Sequence, residues 1–227
     1  MIVMVNYSEA FKRPFQNFGK LLLGLVFSFI PIVNFIATGY GLECARTASK
    51  KKFKLPEWEN FGKLFVDGLL AVLITLIYFM IPAVLAGIAF IMIIVKMGLF
   101  NLANKIDITA IDYVNPAIIN EIMPYIVLLI IAGLLFIFAF YISYMGLMEF
   151  AINKKFSKAF DFRKILRKAF TGKYFSVFFI TMVYSAIVLL ALFLVSTYIP
   201  IIPVIFASWM LTITVYTLFG ELYSELK

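Results

Sequence analysis

The sequence predicts an all-α polytopic membrane protein, and three observations carry that prediction. Hydrophobic residues make up 64% of the 227-residue chain and charged ones only 14%, where a soluble domain carries roughly 25% charge. From Tyr174 to Gly220, 47 consecutive residues lack a charged side chain, about twice the 20 or so that cross a bilayer as helix. The basic residues, which bring the net charge to +8, gather in two segments between apolar runs, as cytoplasmic loops do. The expected elements are four clear transmembrane helices, a Pro-broken first segment and two interfacial amphipathic helices.

The first uncharged stretch, Leu21 to Leu42, is broken near its centre by Ile30-Pro31-Ile32-Val33-Asn34. Proline lacks an amide donor and turns the residue before it away from helix, so the stretch is either a re-entrant hairpin or a single span. With a hairpin, 18 Lys and Arg lie inside and two, Lys96 and Lys105, outside; with a single span and the amino end outside, the division is 15 against five. The positive-inside rule fits the hairpin better. On either reading the carboxyl terminus and both basic loops are cytoplasmic, in a multi-pass protein of the cell membrane. Asn34 is the only amide within the apolar runs proper. Its side chain is suited to satisfy backbone groups freed by the break, the alternative being a substrate contact at an unwound helix.

Next comes Leu55-Pro56-Glu57-Trp58-Glu59, which reads as a helix start: Pro56 suits the first turn, Glu57 and Glu59 complement the helix dipole, and Trp58, Phe61 and Phe65 share a face. This first interfacial helix would place Trp58 at the headgroup level. Gly68 to Val95 and Ile122 to Met148 are one span each, with Pro82 and Pro124 as sites for a kink. The outer loop between them, Met97 to Glu121, has a helix-start signal at Asn115-Pro116. In Phe162 to Phe170, the apolar Phe162, Ile165, Leu166 and Ala169 recur at helical spacing opposite Arg163, Lys164, Arg167 and Lys168. Those four charges either fix topology or grip anionic lipid, at about 1 kcal/mol per basic residue near a charged leaflet. The 47-residue run then folds back at Pro200 and Pro203 as a transmembrane hairpin.

The chain reads as a single membrane domain, 1–227, with a possible internal repeat of 11–96 and 122–227. Ile-Pro-Ile breaks occur in both halves, and three apolar segments end with a Gly near a Glu: Glu43, Glu149 and Glu221. With Asp67, these carboxylates gather near the inner face, as capping or snorkelling groups or as a shared polar site.

The chemistry such a chain could perform is narrow. There is no His, and Cys44 is alone, so an internal disulfide and His- or Cys-based metal sites are excluded and no cofactor is expected. Cys44 follows Glu43 instead of the small residue a lipidation box needs, and no cleavable signal is evident. The metalloprotease, nucleophile-elbow and phosphate-loop patterns are missing. No ionisable residue lies at the middle of a span, which argues against proton or ion coupling. No separate soluble module exists to carry nucleic acid.

Pro14-Phe15, the apolar run ending Ile30-Pro31-Ile32-Val33-Asn34-Phe35, Gly39-Tyr40-Gly41-Leu42-Glu43 with Ala45-Arg46, and Leu55-Pro56-Glu57-Trp58 with Phe61-Gly62-Lys63-Leu64-Phe65 resemble an uncharacterised multi-pass membrane family, domain of unknown function four-thousand-and-thirteen. The resemblance is strongest in the amino-terminal third. It implies a membrane location and an archaeal-type host, and it supplies no activity or catalytic residues.

The expectation is therefore a non-enzymatic membrane protein with a structural, interaction or lipid-associated role. The alternatives are a transporter or channel for an uncharged or lipid-like solute, and a lipid-modifying enzyme. Its expected partner is membrane lipid, including anionic headgroups. Protein partners are not specified, and an oligomer is open. The candidate inner-face or lipid-contact residues are Asn34, Glu43, Glu149, Glu221, Trp58, Arg163, Lys164, Arg167 and Lys168.

Overall fold

A computed structural model describes residues 5–97, 116–196 and 202–226. Those residues are almost wholly helical and contain no strand. Eight α-helices follow in order: α1 (Tyr7–Lys12), α2 (Phe18–Phe29), α3 (Asn34–Ala48), α4 (Phe61–Lys96), α5 (Pro116–Asn153), α6 (Phe162–Ala169), α7 (Gly172–Ser196) and α8 (Ile202–Glu225). Short 3-10 turns precede α2 and α6. Four helices, α4, α5, α7 and α8, are long and apolar enough to cross a membrane, and the chain is a multi-pass membrane protein.

The first apolar stretch is not one helix. α2 ends where Ile30 turns extended, Pro31 to Val33 form the turn, and α3 returns. The Arg13 guanidinium, just before α2, donates to the Cys44 carbonyl near the end of α3, at 2.8 Å, so the two arms run back to a common level. At 12 and 15 residues they are about 18 and 22 Å long, each short of the roughly 30 Å hydrocarbon thickness. The tip is apolar and uncovered, with Ile30, Pro31 and Ile32 exposed. This is the helix–turn–helix form of the two that the sequence left open. Across the turn the Asn34 amide donates to the Ile30 carbonyl at 2.8 Å, so the backbone itself bridges the break, and the Asn34 side chain is exposed.

The second break, at Pro200, lies outside the described residues. Pro203 falls in the first turn of α8, where proline costs nothing. The helix start expected near Pro116 is found there, and Asn115 lies outside the described residues. Both α4 and α5 run unbroken through Pro82 and Pro124.

One expected element is corrected. The segment from Leu55 to Asn60 is not helical; α4 begins only at Phe61, after Asn60 in the left-handed region at φ 54°. Pro56, Glu57 and Glu59 are therefore not in a first helical turn. Tertiary packing overrides the local signal: Leu55 is buried, the Tyr40 hydroxyl donates to the Pro56 carbonyl at 2.8 Å, and the Trp58 ring stacks on Tyr40 with centroids 3.9 Å apart.

The chain forms two compact units. The larger, Met1–Thr75 with Ile142–Lys227, is built around Leu21, Tyr40, Cys44, Leu64, Trp209 and Ile213. The Trp209 indole N–H donates to the Leu21 carbonyl at 3.0 Å. Close approach is made possible by glycine: a methyl group at Gly39 would overlap the Leu64 carbonyl, one at Gly68 the Phe35 carbonyl, and one at Gly220 the Ala45 carbonyl. The smaller unit, Leu76–Tyr141, pairs α4 with α5. Phe79 meets Phe136 and Lys96 meets Glu121, so the two helices run antiparallel.

Candidate functional site

The three carboxylates that end apolar helices are each clamped by cations, at three separate places in the larger unit. Glu43, half-buried on the last turns of α3, pairs with Arg46 one turn later at 2.9 Å, and Arg46 also pairs with Asp67 of α4 at 2.6 Å. Lys63 reaches Glu43 at 3.5 Å, and the Arg46 Nε donates to the Ala151 carbonyl at 2.6 Å. Burial opposes ionisation of Glu43, but Arg46 and Lys63 prevail and hold its carboxyl below the usual range.

Glu221, near the end of α8, is 2% exposed. It accepts from the Asn6 amide and from Lys51, both at 3.0 Å. Lys51 also pairs with Glu225, and these carboxylates raise its pKa against the lowering effect of burial.

Glu149, at the end of α5, is fully buried. Lys164 lies 2.9 Å from Oε2 and Lys168 3.0 Å from Oε1. The Tyr223 hydroxyl donates to Oε2 at 2.9 Å, and the Asn153 amide does so at 2.8 Å. Lys168 stands over the Tyr223 ring, 3.5 Å from its centroid, a cation–π contact. Asn153, Lys164, Arg167, Lys168 and Tyr223 line a cavity of about 340 Å³ at this place.

The structure thus redistributes the face expected for α6. Ile165 and Ala169 are buried as expected, but Lys168 is buried with them, Lys164 is half-buried, and Phe162 is exposed. Lysine stems are long and apolar enough to run inward when a carboxylate waits at the end, and Glu149 does. Arg163 and Arg167 remain exposed and have no carboxylate partner among the described residues. Trp58 spends its ring on Tyr40 and its indole N–H on the Lys20 carbonyl at 3.3 Å. Asn34 sits apart from the three clamps, at the hairpin turn.

Sequence reasoning missed Arg13, Lys51, Asn153 and Tyr223. Arg13 is completely buried. Its guanidinium donates to the Cys44, Lys52 and Lys54 carbonyls and to the Thr47 and Thr217 hydroxyls. It is thus held by dipoles at the carboxyl end of α3, where cations are favoured. Nothing local marks it, because its partners lie as far as 204 positions away. Among the described residues no three His, Cys, Asp or Glu cluster as metal ligands.

A protein-family model described as a protein of unknown function, DUF4013, matches residues 22–201. That is well over half of the chain, and the chain belongs to this family. No curated protein and no solved structure matches it.

Proposed function

We propose that this member of the DUF4013 family is a non-enzymatic protein of the cell membrane, its carboxyl end and basic loops cytoplasmic, that associates with anionic lipid through α6. The observation that carries the reading is the charge balance of the clamps. Glu43, Glu149 and Glu221 each have at least one cation within 3.0 Å, so each is engaged in an ion pair, whereas Arg163 and Arg167 are left over and exposed. Each basic residue at an anionic leaflet contributes about 1 kcal/mol. Glycine contacts that bring backbones together at Gly39, Gly68 and Gly220 support a fixed scaffold over a moving carrier.

The test is the lipid retained through purification, identified by mass spectrometry at low and high salt. Anionic phospholipid should be enriched over zwitterionic lipid at low salt and lost as salt rises. Equal retention of both classes sinks the lipid reading. Release of headgroup or fatty acid from the bound lipid by the purified protein sinks the non-enzymatic one.

A further inference from the structure

The cavity beside Glu149 has more positive charge than it needs. Lys164, Arg167 and Lys168 line it, and among the described residues Glu149 is the one carboxylate paired with Lys164 and Lys168, while Arg167 has none, three cations against one anion. Burial, together with the neighbouring Lys164 and Arg167 charges, pushes Lys168 below the ordinary lysine range in spite of Glu149. An anion entering the cavity would relieve that excess.

The donors are also arranged for one. Glu149 fixes the two ammonium groups at 2.9 and 3.0 Å from its two oxygens, one α-helical turn apart on α6. An ammonium carries three protons; Lys164 directs one to Glu149 and approaches the Tyr223 oxygen at 3.4 Å, and the Lys168 ammonium pairs with the other Glu149 oxygen at 3.0 Å. Arg167 adds a planar fork suited to two oxygens of one group. Tyr223 forms an aromatic wall beneath Lys168. The volume, about 340 Å³, is within the roughly 300–1,000 Å³ of small-ligand sites.

We infer that this cavity is a phosphate-binding site, in which Lys164, Arg167 and Lys168 hold the anion and Glu149 acts as the internal counter-ion that positions the two lysines. The inference rests on the lipid-associated reading and gives it an address. A phospholipid headgroup and inorganic phosphate present the same chemistry, and the experiment separates them.

The full chain is reconstituted in phosphatidylcholine nanodiscs with a minor fraction of phosphatidylglycerol, and retained lipid is counted by native mass spectrometry after transfer to detergent. In parallel, inorganic phosphate is titrated against the lipid-free detergent form and followed by phosphorus NMR line broadening. Arg167→Gln, at an exposed position that leaves the fold intact, should lower phosphatidylglycerol retention or phosphate broadening about tenfold, as should Lys164→Gln. Lys155→Gln removes the same charge from an exposed position outside the cavity and should change either by less than about twofold. Retention that depends on Arg167 assigns the site to the headgroup; broadening that depends on Arg167 assigns it to the free ion; both support the inference. Equal losses in all three variants overturn the cavity and leave diffuse lipid association standing. A wild-type protein with neither a preference for the anionic lipid nor broadening overturns both. Unfolding midpoints of the variants confirm that the comparison is made on folded protein, and Arg167→Gln decides alone if Lys164→Gln is destabilised.

Discussion

Glu43 and Glu149 both end an apolar helix beside a basic segment, yet the two ends are built to opposite charge balances. Around Glu43 the cations Arg46 and Lys63 face Glu43 and Asp67, two against two, and Arg46 closes the arrangement by donating to the Ala151 carbonyl. Around Glu149 two lysines share one buried carboxylate, with Arg167 beside them and a cavity in front. The first arrangement is complete in itself and reads as a structural tie. The second leaves charge and space, which is what a binding site needs. Neither the Glu nor the nearby basic residues distinguish the two; the number of carboxylates among the described residues does.

The comparison can be broken most forcefully at Glu149. Glu149→Gln leaves Lys168 buried without its counter-charge and should cost about 3–5 kcal/mol, read as a large fall in the unfolding midpoint of the detergent-solubilised protein. Glu149→Gln with Lys168→Met should recover most of that, because the buried cation is then gone as well. If the double variant is no more stable than the single one, the pair is not what holds this end together. Gly39→Ala should follow at about 3 kcal/mol, since the Leu64 carbonyl occupies the space a methyl needs. Gly87→Ala, with open space around it, should stay within about 0.5 kcal/mol, and similar losses at both positions would remove the close-packing account.

Arg46→Lys should cost less, about 1–2 kcal/mol, because a lysine keeps the charge but cannot reach Glu43, Asp67 and the Ala151 carbonyl together. The same change of Arg167 to Lys should leave the unfolding midpoint alone, sharpening the contrast between tie and site. The smallest effect is on acid stability. Glu43 titrates lower in the folded protein than its ordinary value of 4.5, so its contribution is complete above that value and is lost as pH falls through the lower, folded one. Unfolding midpoints should decline on acidification, and Glu43→Gln should flatten part of that decline.

The membrane class was legible because it depends on run lengths and charge counts, which no folding step can change. The turn at Pro31 was legible for the same reason that it forms: a missing amide donor is a local fact. Leu55 to Trp58 was misread because its capping pattern is local while the Tyr40 and Trp209 rings that claim Trp58 are distant in sequence. On α6 the helical spacing was read correctly, but spacing cannot show that a buried carboxylate will draw Lys164 and Lys168 inward. The three exit carboxylates were visible as residues. Their separation into three clamps was not, because it is set by Arg46, Lys51 and α6, each reaching across the fold.

The Trp209–Leu21 hydrogen bond spans 188 positions and the Arg13–Thr217 bond 204. At about 5–20 residues per second of synthesis, the hairpin leaves the ribosome roughly 10–40 seconds before the helix that covers it. It is made well before the residues that complete it. During that interval Arg13 has no Thr217 and the face of Gly24 has no Trp209, so the nascent chain has an unfinished, too-short apolar element until α8 arrives.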